Sequence, residues 1–209
     1  MTYVLYGCPE SATFGPQAVL EDAGLAYTLE TVDIASGDSH TPEYLAISPP
    51  GYVPALKLED GSVMYEAAAI MLYLADHHGL KDLAPGFNEP GRARFLRSLF
   101  YLTNTVQEAY KHYYYPERFT TEAAEAPHIK ARSLELLLER WQVVEDDLSA
   151  SGPWVLGDRY SLADIYVVML ASWHPDPEML YERFPAIRRC RELVAARPRL
   201  VEVMRLHAA

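Results

Sequence analysis

Four groups able to donate a proton stand close together near the start of the chain: Tyr6, Cys8, Ser11 and Thr13. The run that follows, GPQAVLEDAG, carries helical spacing and stops at Gly24, a helix-ending residue. A hydroxyl at the amino-terminal end of a helix can give a charge-assisted hydrogen bond to an anion, where the helix dipole already favours negative charge. A thiolate is an anion that needs such help, because a free thiol has a pKa of about 8.5 and is mostly protonated at neutral pH. Each of the four, taken alone, also reads as a loop residue or a core side chain, and Tyr6 alternates into a strand as a core aromatic.

Three further groups have chemistry in their spacing. In Val53-Pro54 the proline has no amide hydrogen and can take the cis form, which turns neighbouring backbone groups toward a ligand; the alternative is a trans proline at a strand start. Glu66 opens a helical run, either as a helix-capping acid or as a ligand contact. Ser161-x-x-Asp164 is a capping arrangement that starts a helix, and no catalytic role is assigned to it.

These residues must be held by elements, and the pattern predicts which. TYVLY and YTLETVDI read as strands around the first helix. HTPEYLAISPPGY is irregular with room for one short helix; PALKL and SVMYE flank the turn EDG as a hairpin; EAAAIMLYLADHHG is a helix closing at Gly79. The order is βαβαββα over residues 1–78. Residues 79–90, rich in proline and glycine, read as a linker. Residues 91–209 read as all-helical, with helices near 91–114, 126–149, 161–173, 185–196 and 198–206.

Half of the residues are hydrophobic, enough for a substantial core. The formal net charge of −11 argues against nucleic acid and anionic membrane as partners. That charge is concentrated in the first 80 residues, where eleven carboxylates face the single cation Lys57. No apolar run reaches the roughly 20 residues of a membrane span, and MTYVLYG does not read as a secretory signal. Cys8 and Cys190 form neither a zinc-type cluster nor a disulfide framework, so a reducing, cytoplasmic setting and no metal are expected.

Three stretches, SPPGYVPALKLEDGSVMYEAAAIMLYLAD, GDRYSLADIYVVML and the opening LYGCPES, resemble the cytosolic glutathione transferase family across essentially the whole chain. The resemblance implies a thioredoxin-like α/β domain that holds glutathione and an all-α domain that forms the electrophile pocket. It is similar to the serine-type (theta-, phi-, zeta- or beta-like) members. Counting back from Gly24, Ser11 falls where these members keep their catalytic hydroxyl, with Thr13 next in line. Cys8 begins a Cys-Pro-x-Ser sequence that looks like a glutaredoxin or omega-type redox site, and Tyr6 would match the tyrosine-type classes.

By the same resemblance, Val53 before Pro54 bonds the cysteine backbone of glutathione, and Glu66 binds the γ-glutamyl amino group. The next residue, usually serine, is Ala67, which keeps only its backbone amide as donor. His40, in GDSHTPEYL, is similar to the stretch that meets the glycine carboxylate and reads equally as a surface histidine, while Tyr52 replaces the frequent Lys or Gln before Val-Pro. Tyr110 and Tyr114 share a helical face, and with Trp173 they are expected to line the electrophile pocket. The implied activity is a detoxifying transferase, a homodimer, joining reduced glutathione to a small hydrophobic electrophile. The alternatives are an isomerase, dehalogenase or thiol oxidoreductase using glutathione on the same fold, or a non-catalytic binding module.

Overall fold

In the computed structural model, residues 2–207 are described. Strand β1 (Tyr3–Gly7) alternates, covering Tyr3, Leu5 and Gly7 on one face. Helix α1 (Phe14–Ala23) ends at Gly24, whose left-handed φ of 67° lets its amide turn back to the carbonyls of Leu20 and Glu21. β2 (Tyr27–Thr31) pairs parallel with β1, Tyr3 beside Tyr27 and Gly7 beside Thr31. A short 3₁₀ turn, Asp38–His40, leads into α2 (Pro42–Leu45), started by the Thr41 hydroxyl accepting the Tyr44 amide. The hairpin follows as β3 (Ala55–Lys57) and β4 (Val63–Tyr65), and then α3 (Ala67–His77).

The sheet order is β2-β1-β3-β4, with β3 antiparallel to both β1 and β4. This is the thioredoxin-like arrangement expected from the sequence. Because of those directions, the exit of β1 at Gly7, the entry to β3 at Pro54 and the exit of β4 at Glu66 fall at one end of the sheet. Ligands of open α/β sheets gather at the carboxyl ends of parallel strands, here those of β1 and β2.

The chain forms two compact units, one running to Gly86 and resuming at Val194, the other covering Phe87–Leu193. The division between Gly86 and Phe87 falls inside the expected linker at 79–90, whereas the expected helical domain at 91–209 extends past the second unit, which ends at Leu193. Leu83 and Ala84 in the first half of the expected linker are buried and belong to the first unit. The segment after Val194, including α10 (Val201–Leu206), returns to α1 for physical reasons that helical periodicity does not reveal. Arg197 grips the Asp22 carboxylate through three N–H···O contacts of 2.9 to 3.3 Å, and the Asp22 side chain is only 5% exposed. Leu200 and Val203 are buried, and His207 Nε2 lies 2.9 Å from Gln17 Oε1.

In the second unit, α4 (Arg92–Tyr101) and α5 (Gln107–Tyr114) are joined by a π-helical turn, Leu102–Val106, so the helix expected over 91–114 carries one widened turn. α6 (Ala126–Ser151) buries Leu137, Trp141, Val144 and Leu148, a stripe at helical spacing. α7 (Leu162–Ser172) is buried from Leu162 through Ala171 and forms the unit's centre. Its start is the anticipated capping box of Ser161 and Asp164. The short α8 (Pro177–Arg183), not anticipated from the sequence, precedes α9 (Pro185–Ala195). Buried Glu145 of α6 accepts the Ala186 and Ile187 amides at 3.0 to 3.1 Å, satisfying the first turn of α9.

Candidate functional site

The loop from Cys8 to Thr13 turns back on itself. Glu10 sits at φ 56°, a conformation that side-chain-bearing residues rarely hold, and this reversal brings Ser11 Oγ to 2.6 Å from the Cys8 carbonyl oxygen. Ser11 Oγ also lies 2.8 Å from Thr13 Oγ1 and accepts the Thr13 amide at 3.2 Å. Thr13 Oγ1 accepts the Cys8 amide at 3.3 Å. Ser11 and Thr13 are both buried, Thr13 completely. The Thr13 side chain lies across the end of β1 because residue 7 is glycine: a Cβ there would fall 2.0 Å from Thr13 Oγ1. Cys8 is buried beside them, and Tyr6 is half-buried, its ring edge-on to Tyr44.

The second wall of this end of the sheet is the 51–54 loop. The Val53–Pro54 bond is cis, one of the two geometries left open by the sequence. The Tyr52 carbonyl oxygen accepts hydrogen bonds from Tyr44 Oη at 2.8 Å and Ser48 Oγ at 3.0 Å. Burial pushes the Tyr44 hydroxyl up to about 12 against the opposing effect of the Ser48 hydroxyl, so it stays protonated and donating. Tyr44 and Ser48 were not singled out in the sequence. Their signal was an i, i+4 polar pair just ahead of Pro-Pro-Gly. The Tyr52 side chain itself is exposed.

His40 is exposed, with Nδ1 2.9 Å from Ser39 Oγ. Its Nε2 faces Gly51, where an added Cβ would lie 3.4 Å away, so His40 stands beside the 51–54 loop. Glu66 lies just beyond the β4 residue that pairs with Ala55, and therefore next to Pro54. It holds a φ of 73°, and its carboxylate makes no capping bond to α3 although it stands at that helix's start. Ala67 follows as the first, buried residue of α3. Glu10 and Glu66 are the two non-glycine residues with positive φ among those described, and both border this site; such strain concentrates where function requires it.

In the second unit, Tyr110, Tyr114 and Trp173 come together. Tyr110 stacks on Tyr114 with ring centres 6.4 Å apart and meets the Trp173 ring edge-on at 5.9 Å. Tyr114 Oη donates to the Trp173 carbonyl oxygen. Tyr110 is only 1% exposed and accepts the Trp141 indole N–H at 3.0 Å, so it supports this cluster from beneath rather than offering surface. Tyr114, 48% exposed, and the partly exposed Trp173 supply the accessible aromatic faces.

Among the described residues, no group of three or more His, Cys, Asp or Glu could hold a metal ion. No helix among them is long and apolar enough to cross a membrane.

Residues 15–77 match the glutathione S-transferase N-terminal domain, and residues 103–205 match the glutathione S-transferase C-terminal domain. The chain is similar to the glutathione S-transferase GstA of Escherichia coli O157:H7, 26% identical over 205 residues that cover 96% of each chain. It is also similar to the disulfide-bond oxidoreductase YfcG of Escherichia coli strain K12, 28% identical over 194 residues, covering 86% of this chain and 83% of that one. A solved glutathione transferase homolog from Sulfitobacter, with bound glutathione, superimposes with a TM-score of 0.91 at 28% identity, covering 100% of this chain and 99% of that one. Since both domain matches fall on the two architectures just described, a thioredoxin-like sheet and a helical bundle, this chain belongs to the glutathione S-transferase family.

Proposed function

We propose that the chain is a glutathione transferase in which Ser11 hydrogen-bonds the glutathione thiolate, and the bound thiolate attacks a small hydrophobic electrophile. The observation that carries this reading is the convergence of a buried hydroxyl pair, the cis Val53–Pro54 loop and an uncapped Glu66 carboxylate at one end of the sheet. The Sulfitobacter homolog's bound glutathione supports it. In this reading the Val53 backbone bonds the cysteine of glutathione, the Glu66 carboxylate takes the γ-glutamyl ammonium, and the Ala67 amide faces that arm's carboxylate. His40 meets the glycine carboxylate beside Tyr52. Sulfur forms a bond to the electrophilic carbon while the leaving group departs with its electron pair, and the thiol proton has already passed to solvent. Tyr114 and Trp173, supported by Tyr110, present flat apolar faces for the electrophile. The active protein is a cytoplasmic homodimer.

Calorimetric titration with reduced glutathione tests this directly. Binding in the millimolar range or tighter is expected, and no binding by the folded protein would leave a non-catalytic module. A second reading, thiol–disulfide oxidoreduction, is favoured by Cys8 standing at the start of Cys-Pro-x-Ser in the same loop and by the likeness to YfcG. Under that reading, Cys8→Ala abolishes disulfide reduction, whereas conjugation survives it.

A further inference from the structure

The two hydroxyls at the start of α1 do not play equal parts. Each carries one proton. Ser11 Oγ has two acceptors within reach, the Cys8 carbonyl oxygen at 2.6 Å and Thr13 Oγ1 at 2.8 Å. A carbonyl oxygen can only accept, so when the Ser11 proton is given to Cys8 the short contact between the hydroxyls must be made by the Thr13 proton. Thr13 is completely buried, and Ser11 Oγ, which can itself donate to Thr13 Oγ1 across the same 2.8 Å, is the hydroxyl that stands against it. An idle hydroxyl proton there would carry a desolvation cost with no return.

We propose that Thr13 is a positioning residue that directs both its amide and its hydroxyl proton into Ser11 Oγ, leaving the Ser11 proton as the one able to turn toward a bound thiolate. The proposal rests on the reading of Ser11 as the thiolate's hydrogen-bond donor. Two donors feeding one oxygen polarise its own O–H bond and make it a stronger donor, an effect that burial enlarges. Gly7 is part of the device, because any side chain there would displace Thr13 Oγ1.

The test uses the whole protein with reduced glutathione as probe, following the ultraviolet absorbance of the bound thiolate against pH for the wild type, Ser11→Ala, Thr13→Val and Thr13→Ser. S-methylglutathione, which has no thiol proton, is titrated in parallel. Thr13→Val keeps the shape and the amide but removes the hydroxyl. It is expected to raise the thiol's midpoint by about half a unit to one unit, a three- to tenfold loss of thiolate at a fixed pH below the midpoint. S-methylglutathione affinity should stay within twofold, and Thr13→Ser should restore the wild-type curve. A Thr13→Val curve lying on the wild type while Ser11→Ala is displaced would overturn the proposal and leave the Ser11 reading standing. Displacement by Thr13→Val alone would make Thr13 the direct donor and overturn it. An equal loss of S-methylglutathione affinity would mark a merely structural role and also overturn it. If neither variant moves the curve, the reading of Ser11 falls and the proposal with it.

Discussion

At the start of α7, Ser161 and Asp164 are buried together; at the start of α1, so are Ser11 and Thr13. The first pair is closed. The Asp164 carboxylate accepts the Val155 amide at 2.7 Å and the Ser161 amide and hydroxyl at 2.8 and 3.0 Å, with the Cys190 thiol 3.8 Å away, so each of these protons has one destination. The second pair is open, because the Ser11 proton has more than one place to go. A polar knot with every proton committed contributes to the fold. One with a proton able to change partner can meet a ligand, and residue types alone do not distinguish the two.

The contrast can be broken most forcefully at Asp164. Asp164→Ala leaves two buried amides without an acceptor and removes a helix cap, so a loss of about 3–5 kcal/mol in denaturant unfolding is expected. Ser11→Ala is expected to cost about 1 kcal/mol. Equal losses would erase the distinction between closed and open pairs.

The next effect is on pH. Burial pushes the Asp164 carboxyl up to about 6, so between its ordinary range and pH 6 the folded chain keeps a proton that the unfolded chain has released, and stability falls as pH rises through that window. Burial pushes His207 down to about 4, so between pH 4 and 6.5 the unfolded chain holds the extra proton and stability rises with pH. Each contribution is on the order of 1–3 kcal/mol, and in the wild type they oppose one another. Unfolding midpoints at pH 4.5 and 6.5 should show a steeper rise with pH in Asp164→Asn and a net fall in His207→Gln. Unchanged slopes in both variants would contradict this account.

Smaller still is the chemical effect of the open pair. Ser11→Ala should raise the midpoint of bound glutathione by about one unit, equivalent to about 1.4 kcal/mol, and lower conjugation near neutral pH roughly tenfold, with recovery in alkali. Full activity at pH 6.5 would place the donor elsewhere. Least of all, Tyr114→Phe loses a half-exposed hydrogen bond to the Trp173 carbonyl and should change stability by less than about 1 kcal/mol and the electrophile's KM by less than about threefold.

Much of the first unit, and the start of α7 in the second, was legible because the signals are local: alternation in TYVLY, glycine at the end of α1, turn residues between the hairpin strands, and serine three residues before Asp164. Val53-Pro54 was legible for the same reason. What escaped depends on partners far away in the sequence. The widened turn at Leu102–Val106 keeps helical periodicity, so nothing in the pattern marks it. Tyr110 has the spacing of a surface stripe, and only the Trp141 indole across on α6 shows it to be core. That Thr13 acts on Ser11 follows from a loop reversal at Glu10, a residue with no intrinsic preference for that conformation.

The return of the segment after Val194 to α1 makes the second unit, in topological terms, an insertion within the first. A ribosome releases a chain from its amino end, and domains commonly fold in that order. Here the sheet and α1 emerge early, yet Asp22 has no Arg197 and Gln17 has no His207 until the whole helical unit has been made. The order of synthesis therefore obliges the helix that carries the candidate site to wait for its last support. A nascent chain stopped at Leu193 exposes the α1 surface that Leu200 and Val203 later cover, and a chaperone that binds apolar surface has its opportunity there.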